Sequence, residues 1–122
     1  MESGLIIGKM EIKKQREYLK MGMDLQVELE ETLGDKGVIL HPPYNRPAPA
    51  HWDPFRTPFA CAYTAIFNVM ENPATCLPVA WTDRSLPVSI QVVAAPGLDR
   101  LTVAVAAALE ADFGGWRRAP VV

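Results

Sequence analysis

The stretch "PFACAYTAIFNVM", Pro58–Met70, constrains this chain's fold more than any other. Thr57-Pro58 supplies a helix start, with threonine as N-cap and proline at the first helical position. Pro73 forbids continuation much past Met70. Around that helix, Phe59, Cys61, Ala62, Tyr63, Ala65, Ile66, Phe67, Val69 and Met70 leave only Thr64 and Asn68 plainly polar, four residues apart on one narrow stripe. A helix that is apolar nearly all round is buried in a large protein or a membrane. At 1.5 Å per residue, about 13 residues reach roughly 20 Å, too short to cross a bilayer. Burial within protein is left, and it demands cover on every side.

The remaining elements supply little cover. Between Lys9 and Leu33, Tyr18, Met21, Leu25, Leu29 and Leu33 recur at spacings of three and four, one stripe of an amphipathic helix. Gly22 predicts a kink or break within it, and Gly34 ends it in a left-handed conformation. "GVIL", Gly37–Leu40, reads as a short buried strand stopped by His41-Pro42-Pro43. From Pro42 to Pro58 the chain is a proline-punctuated loop that no helix fits, its Tyr44, Trp52 and Phe55 expected to pack on a protein surface. Ala74–Trp81 and Leu86–Ala95 form a hairpin with a four- or five-residue loop, Val88, Ile90 and Val92 facing one way and Ser89, Gln91 and Val93 the other. Asp99 is placed as the N-cap of an alanine-rich last helix, with Leu98 and Val103 as its hydrophobic staple, and Gly114-Gly115 ends it. Two helices, one strand and one hairpin are barely enough to sheath the Pro58–Met70 helix, since layers pack about 10 Å apart.

With 122 residues, 49% hydrophobic and 21% charged, the chain has an ordinary globular balance and room for one domain. A net charge of −2 supplies no basic footprint, and no nucleic-acid motif is present, so no nucleic-acid partner is expected. The N-terminal apolar run is only Leu5-Ile6-Ile7, too short for a signal peptide or a membrane span. Cys61 and Cys76 make no disulfide framework and read as buried thiols in a reducing, intracellular compartment.

A catalytic constellation is not legible. None of Ser3, Ser85 and Ser89 lies in a glycine-rich elbow. Cys61 or Cys76 with His41 or His51 matches a thiol–imidazole pair only by residue type, and apolar flanks raise a thiol pKa. The Glu28, Glu30, Glu31 cluster reads as a solvated helix face, and no zinc-site spacing occurs. No cofactor and no metal are expected. His41 reads as a hydrogen-bonded structural residue. Asn68 reads as a satisfied polar anchor in a buried helix, and it is the first choice for a site wall.

The ordered set "AYTAIFNVM", "NPATCLPVAW", "LPVSIQVVAAPGLDRLTVAVAAALE" and "FGGW" resembles the C-terminal part of the amidase signature family. Within that family it looks most similar to fatty acid amide hydrolases of the second type. The upstream "LEETLGDKGVILHPPYNRPAPAH" is similar to the segment before it, so the resemblance runs from about Met10 to Arg117. Two positions depart from the family pattern: Glu71 and Ser89 stand where such enzymes usually carry glycine.

The resemblance implies an α/β fold: residues 1–122 as one partial amidase domain, with residues 42–58 as a proline-rich loop. It would be the C-terminal portion of an α/β/α mixed sheet, in the order helix–strand–loop–helix–β-hairpin–helix, incomplete alone. Such enzymes hydrolyse amide or ester bonds with a Ser-cisSer-Lys triad set upstream in a lysine strand and a glycine-serine-rich segment. Neither is found here, so no catalytic residue carries over, and inactivity alone is expected. The loop with Pro42 and Tyr44 is placed along an acyl-binding channel, and Asn68 is the third candidate wall residue. The expected partner is the remainder of an amidase domain, or a second copy of the chain. Acyl amide substrate and membrane association belong to a complete enzyme. The alternative is a self-contained interaction or dimerisation module with no catalysis.

Overall fold

The computed structural model describes residues 12–57 and 59–118. Pro58, assigned above to the first turn of a helix, and the Leu5-Ile6-Ile7 run and Ser3 lie outside them. The chain runs α1 (Ile12–Leu33), β1 (Val38–His41), α2 (Asp53–Arg56), α3 (Ala62–Val69), β2 (Ala74–Trp81), β3 (Pro87–Ala94) and α4 (Asp99–Phe113). The three strands form one sheet in the order β1-β3-β2. Both pairings are antiparallel, with Ile39 opposite Val93 and Leu77 opposite Ile90. The parallel pairing that a mixed sheet requires does not occur among the described residues.

Strand alternation sends β3 in two directions. Val92 packs with Leu77 and Ala106 on the face covered by α4, and Val93 packs with Phe67 and Met70 on the face covered by α3 and the end of α1. The result is three layers, helix–sheet–helix, with two thin cores rather than one. On the α4 side small residues allow close approach. Thr102 is fully buried, its hydroxyl 2.8 Å from that of Thr75 and donating to the Asp99 carbonyl, also at 2.8 Å.

The expected element order is present, and several local expectations are corrected. Helix α3 starts at Ala62 with Cys61 as N-cap, rather than one residue after a Thr57 N-cap. Before it, residues from Thr57 make isolated turns, Ala60 N–H to the Thr57 carbonyl and Ala62 N–H to the Phe59 carbonyl. The proline-rich segment does contain one turn of helix, α2. Pro54 sits in its first turn, where a missing N–H leaves nothing unsatisfied, and Thr57 closes it. Helix α1 is unbroken through Gly22. Gly22 serves contact instead: a Cβ there would lie 3.9 Å from Val69 Cγ1 of α3. The N-cap of α4 is Leu98, so Asp99 is already helical, and Val103, placed above in a staple, is exposed. Cys61 and Cys76 are exposed rather than buried.

The helix expected to be covered on every side is covered on one. Phe67 and Met70 are buried, while Phe59 and Val69 are 86% and 71% exposed. Asn68 is exposed as well and anchors nothing in the interior.

Glu71 ends α3 in the left-handed region at φ +56°. Asn72 N–H donates to the Phe67 carbonyl and Glu71 N–H to the Asn68 carbonyl, the paired bonds of a Schellman cap with glutamate where glycine is favoured. An L-residue in that conformation is strained by roughly 1–2 kcal/mol, and glycine is not. Glu71→Gly is therefore expected to raise the unfolding free energy by about 1 kcal/mol, read from the urea midpoint. Ser89, the other departure from the family's glycines, is an ordinary strand residue opposite Pro78, next to a register shift between Pro78 and Ala80.

Candidate functional site

The proline-rich loop folds back against the start of β3 and the first turn of α3. Between them lies a cleft of about 610 Å³, walled by residues 42–49 and closed by Tyr63, Pro87, Val88 and Ser89. Proline fixes the loop's backbone torsions in advance, so this wall costs little ordering entropy. The Arg46 guanidinium lies 5.8 Å from the centre of the Tyr44 ring, a cation–π contact at the rim. Tyr44 also faces a smaller hollow of about 300 Å³ with Pro43, Pro49, Cys61 and Thr64, and so stands between two cavities.

Behind Tyr63 the site is anchored by an aromatic cluster. The His41 ring is 5.0 Å from Tyr63 and 5.2 Å from Phe67, edge-on to the latter. His41 Nδ1 lies 3.4 Å from Nε2 of the buried Gln91. This is the structural histidine anticipated from the sequence. Its position follows from β1–β3 register, which sets His41 directly opposite Gln91.

Pro42 and Tyr44 thus share one cleft wall, whereas Asn68 lies exposed on α3 and lines none of the cavities described here. Arg46, Tyr63 and Ser89 line the cleft too, and none of them was read from the sequence as a wall residue. The departure of Ser89 from the family's glycine was the one signal available for it; Tyr63 was hidden among the apolar residues of α3.

The arrangement suits an extended apolar ligand with one polar end, given proline and tyrosine walls beside a single guanidinium. Cys76 and His41 both lie opposite Gln91, on β2 and β1 respectively, so two strand spacings, about 10 Å, separate them. That geometry rules out a direct thiol–imidazole pair between them. No group of three or more His, Cys, Asp or Glu among the described residues is placed to hold a metal ion. No described helix is long and apolar enough to cross a membrane.

Comparison with known proteins decides what this scaffold is related to. Over 104 residues the chain is 42% identical to fatty-acid amide hydrolase 2 of Homo sapiens, a match covering 85% of this chain and 20% of that protein. This chain belongs to the amidase signature family. It is also 46% identical over 93 residues to fatty-acid amide hydrolase 2-A of Danio rerio, covering 76% of this chain and 18% of the relative. A third relative, the 6-aminohexanoate-cyclic-dimer hydrolase of a Pseudomonas strain, is 39% identical over 59 residues, 48% of this chain and 12% of that protein. The chain therefore spans about a fifth of the length of the fatty-acid amide hydrolases it matches. No family model matches it, and no solved structure does. In amidase signature terms, the cleft, the hairpin and α4 all fall within the residues from which the resemblance was read.

Proposed function

We infer that this chain is the C-terminal portion of an amidase signature hydrolase that cleaves long-chain acyl amides when complete, and that it is inactive by itself. In this reading the Ser-cisSer-Lys triad belongs to the part of the enzyme that precedes these residues. The Pro42–Pro49 cleft borders the channel for the acyl chain, with Pro42 and Tyr44 on its wall, and the three antiparallel strands join a larger mixed sheet through β1 or β2. The observation that carries it is the match itself: four-fifths of this chain aligns, at more than 40% identity, with only a fifth of an amide hydrolase. The exposed flank of α3 supports it, because Phe59, Ile66 and Val69 keep much of their apolar surface open to solvent.

The purified chain is expected to release no fatty acid from a long-chain acyl amide, measured by amine release over hours. Serine-dependent turnover would overturn the inactivity. Replacing the matching segment of human fatty-acid amide hydrolase 2 with this chain is expected to leave an active chimera. A folded but inactive chimera would instead favour a self-contained interaction module.

A further inference from the structure

The cleft walled by residues 42–49 has one charge on an otherwise neutral lining. Among the described residues that line it, Arg46 is the single charged side chain, with no aspartate or glutamate to balance it. No described carboxylate pairs with Arg46 elsewhere; its partner is the Tyr44 ring, whose centre lies 5.8 Å from the guanidinium carbon. An aromatic face steadies a guanidinium without neutralising it, and leaves its planar fork of N–H donors unused. The rest of the wall gives a polar ligand little. Pro42, Pro43, Pro47 and Pro49 have no backbone N–H and present ring carbons instead. Across the cleft, Pro87 and Val88 are apolar, and Tyr63 and Ser89 offer only hydroxyls.

Two kinds of apolar chain suit such a cleft, one ending in a neutral amide and one ending in a carboxylate. The amide finds hydroxyls and few backbone donors. The carboxylate finds the guanidinium, whose paired N–H donors match its two oxygens. The volume of about 610 Å³ leaves room for a chain as well as its head. We propose that this cleft binds a medium- or long-chain monocarboxylate in preference to the neutral amide of the same chain. The carboxylate sits on the Arg46 guanidinium, and the chain lies against the prolines, Tyr63 and Val88. Because Arg46 is exposed at the rim, the bound carboxylate stays partly hydrated, which keeps the preference modest. The proposal goes beyond the hydrolase reading, since it states which ligand the cleft holds and is read as binding, without turnover.

The test titrates the full chain with octanoate and with octanamide at neutral pH, following backbone amide chemical shifts by NMR. Octanoate is expected to move the signals of Tyr63, Val88 and Ser89, with a Kd about fivefold below that of octanamide. Arg46→Gln should remove the difference while leaving the Kd of octanamide where it was, and Arg46→Lys should keep part of it. Arg46 is exposed, so neither variant touches the core. A second apolar groove of about 650 Å³ lies between α1 and α3 and includes Val69. Val69→Ser, which alters only that groove, is expected to change neither Kd. Equal affinity for the two ligands would overturn the proposal, as would a preference that survives Arg46→Gln. So would octanoate shifts confined to α1 and α3, octanoate binding weakened by Val69→Ser, or no saturable shift with either ligand. None of these failures touches the hydrolase reading, which amine release and the chimera test separately.

Discussion

Phe67→Ala is expected to lower the unfolding free energy by about 3 kcal/mol, at the small end of the range for removing a buried phenylalanine. Phe67 and Met70 are the only buried side chains between Ala62 and Met70, and with Val93 they make up the core on that face of the sheet. The phenyl ring also meets the edge of His41, and through it the cleft behind Tyr63. The loss is a large share of what a domain this size holds in reserve. It should fall unevenly, because Leu77, Val92 and Ala106 form a separate cluster on the opposite face. Hydrogen exchange is expected to speed up across α3 and the end of α1 well before it does across β2 and α4. Uniform acceleration would show that the two cores unfold as one. Phe67→Leu, which keeps most of the apolar volume, should cost about 1 kcal/mol.

Gly37→Ala is the second substitution expected to be severe, by about 3 kcal/mol, for a different reason. Gly34, at φ +57°, turns the chain out of α1, and Gly37 N–H then donates to the Leu33 carbonyl at 2.8 Å. A Cβ on Gly37 would be driven into the Leu33 backbone, its carbonyl oxygen above all. Backbone has no rotamer with which to yield, so relief requires moving α1 relative to β1. That displacement would disturb the packing of Leu29 and Ile39 against Phe67, Met70 and Val93 and shift His41 from its register with Gln91. Urea denaturation gives the stability change, and the chemical shift of the Gln91 side-chain amide reports the site. An alanine variant with an unchanged midpoint would mean that α1 slides freely on the sheet.

The site lies where local sequence chemistry was easiest to read and tertiary relations were hardest. Six prolines between Pro42 and Pro58 made an ordered, non-helical wall legible, together with Pro42 and Tyr44 as candidates on it. The one-turn α2 was missed because Pro54 was read as a breaker, although its place in the first turn is one that proline tolerates. The Thr57-Pro58 start signal matched a helix that in fact begins at Ala62. Capping residues report a local preference, and here the competing turns won. Asn68 was chosen because a polar residue in a buried helix needs a purpose. Once α3 is covered on one side only, Asn68 simply faces solvent.

Some features belong to the sequence alone. Alternation along Val88–Val93 dictated which side chains share a face, because successive strand residues must point oppositely. Gly34 and Gly114 marked helix ends, since both take the left-handed conformation that other residues resist. The family, too, was readable in the order of short motifs. Other features arose only with the tertiary structure: the β1-β3-β2 order, the pairing of His41 with Gln91 fifty residues away, and the exposure of half of α3. The physical reason is one of range. Torsional preference and periodicity act over a few residues and are written locally, whereas strand partners and helix cover are settled by which distant surfaces exclude water together.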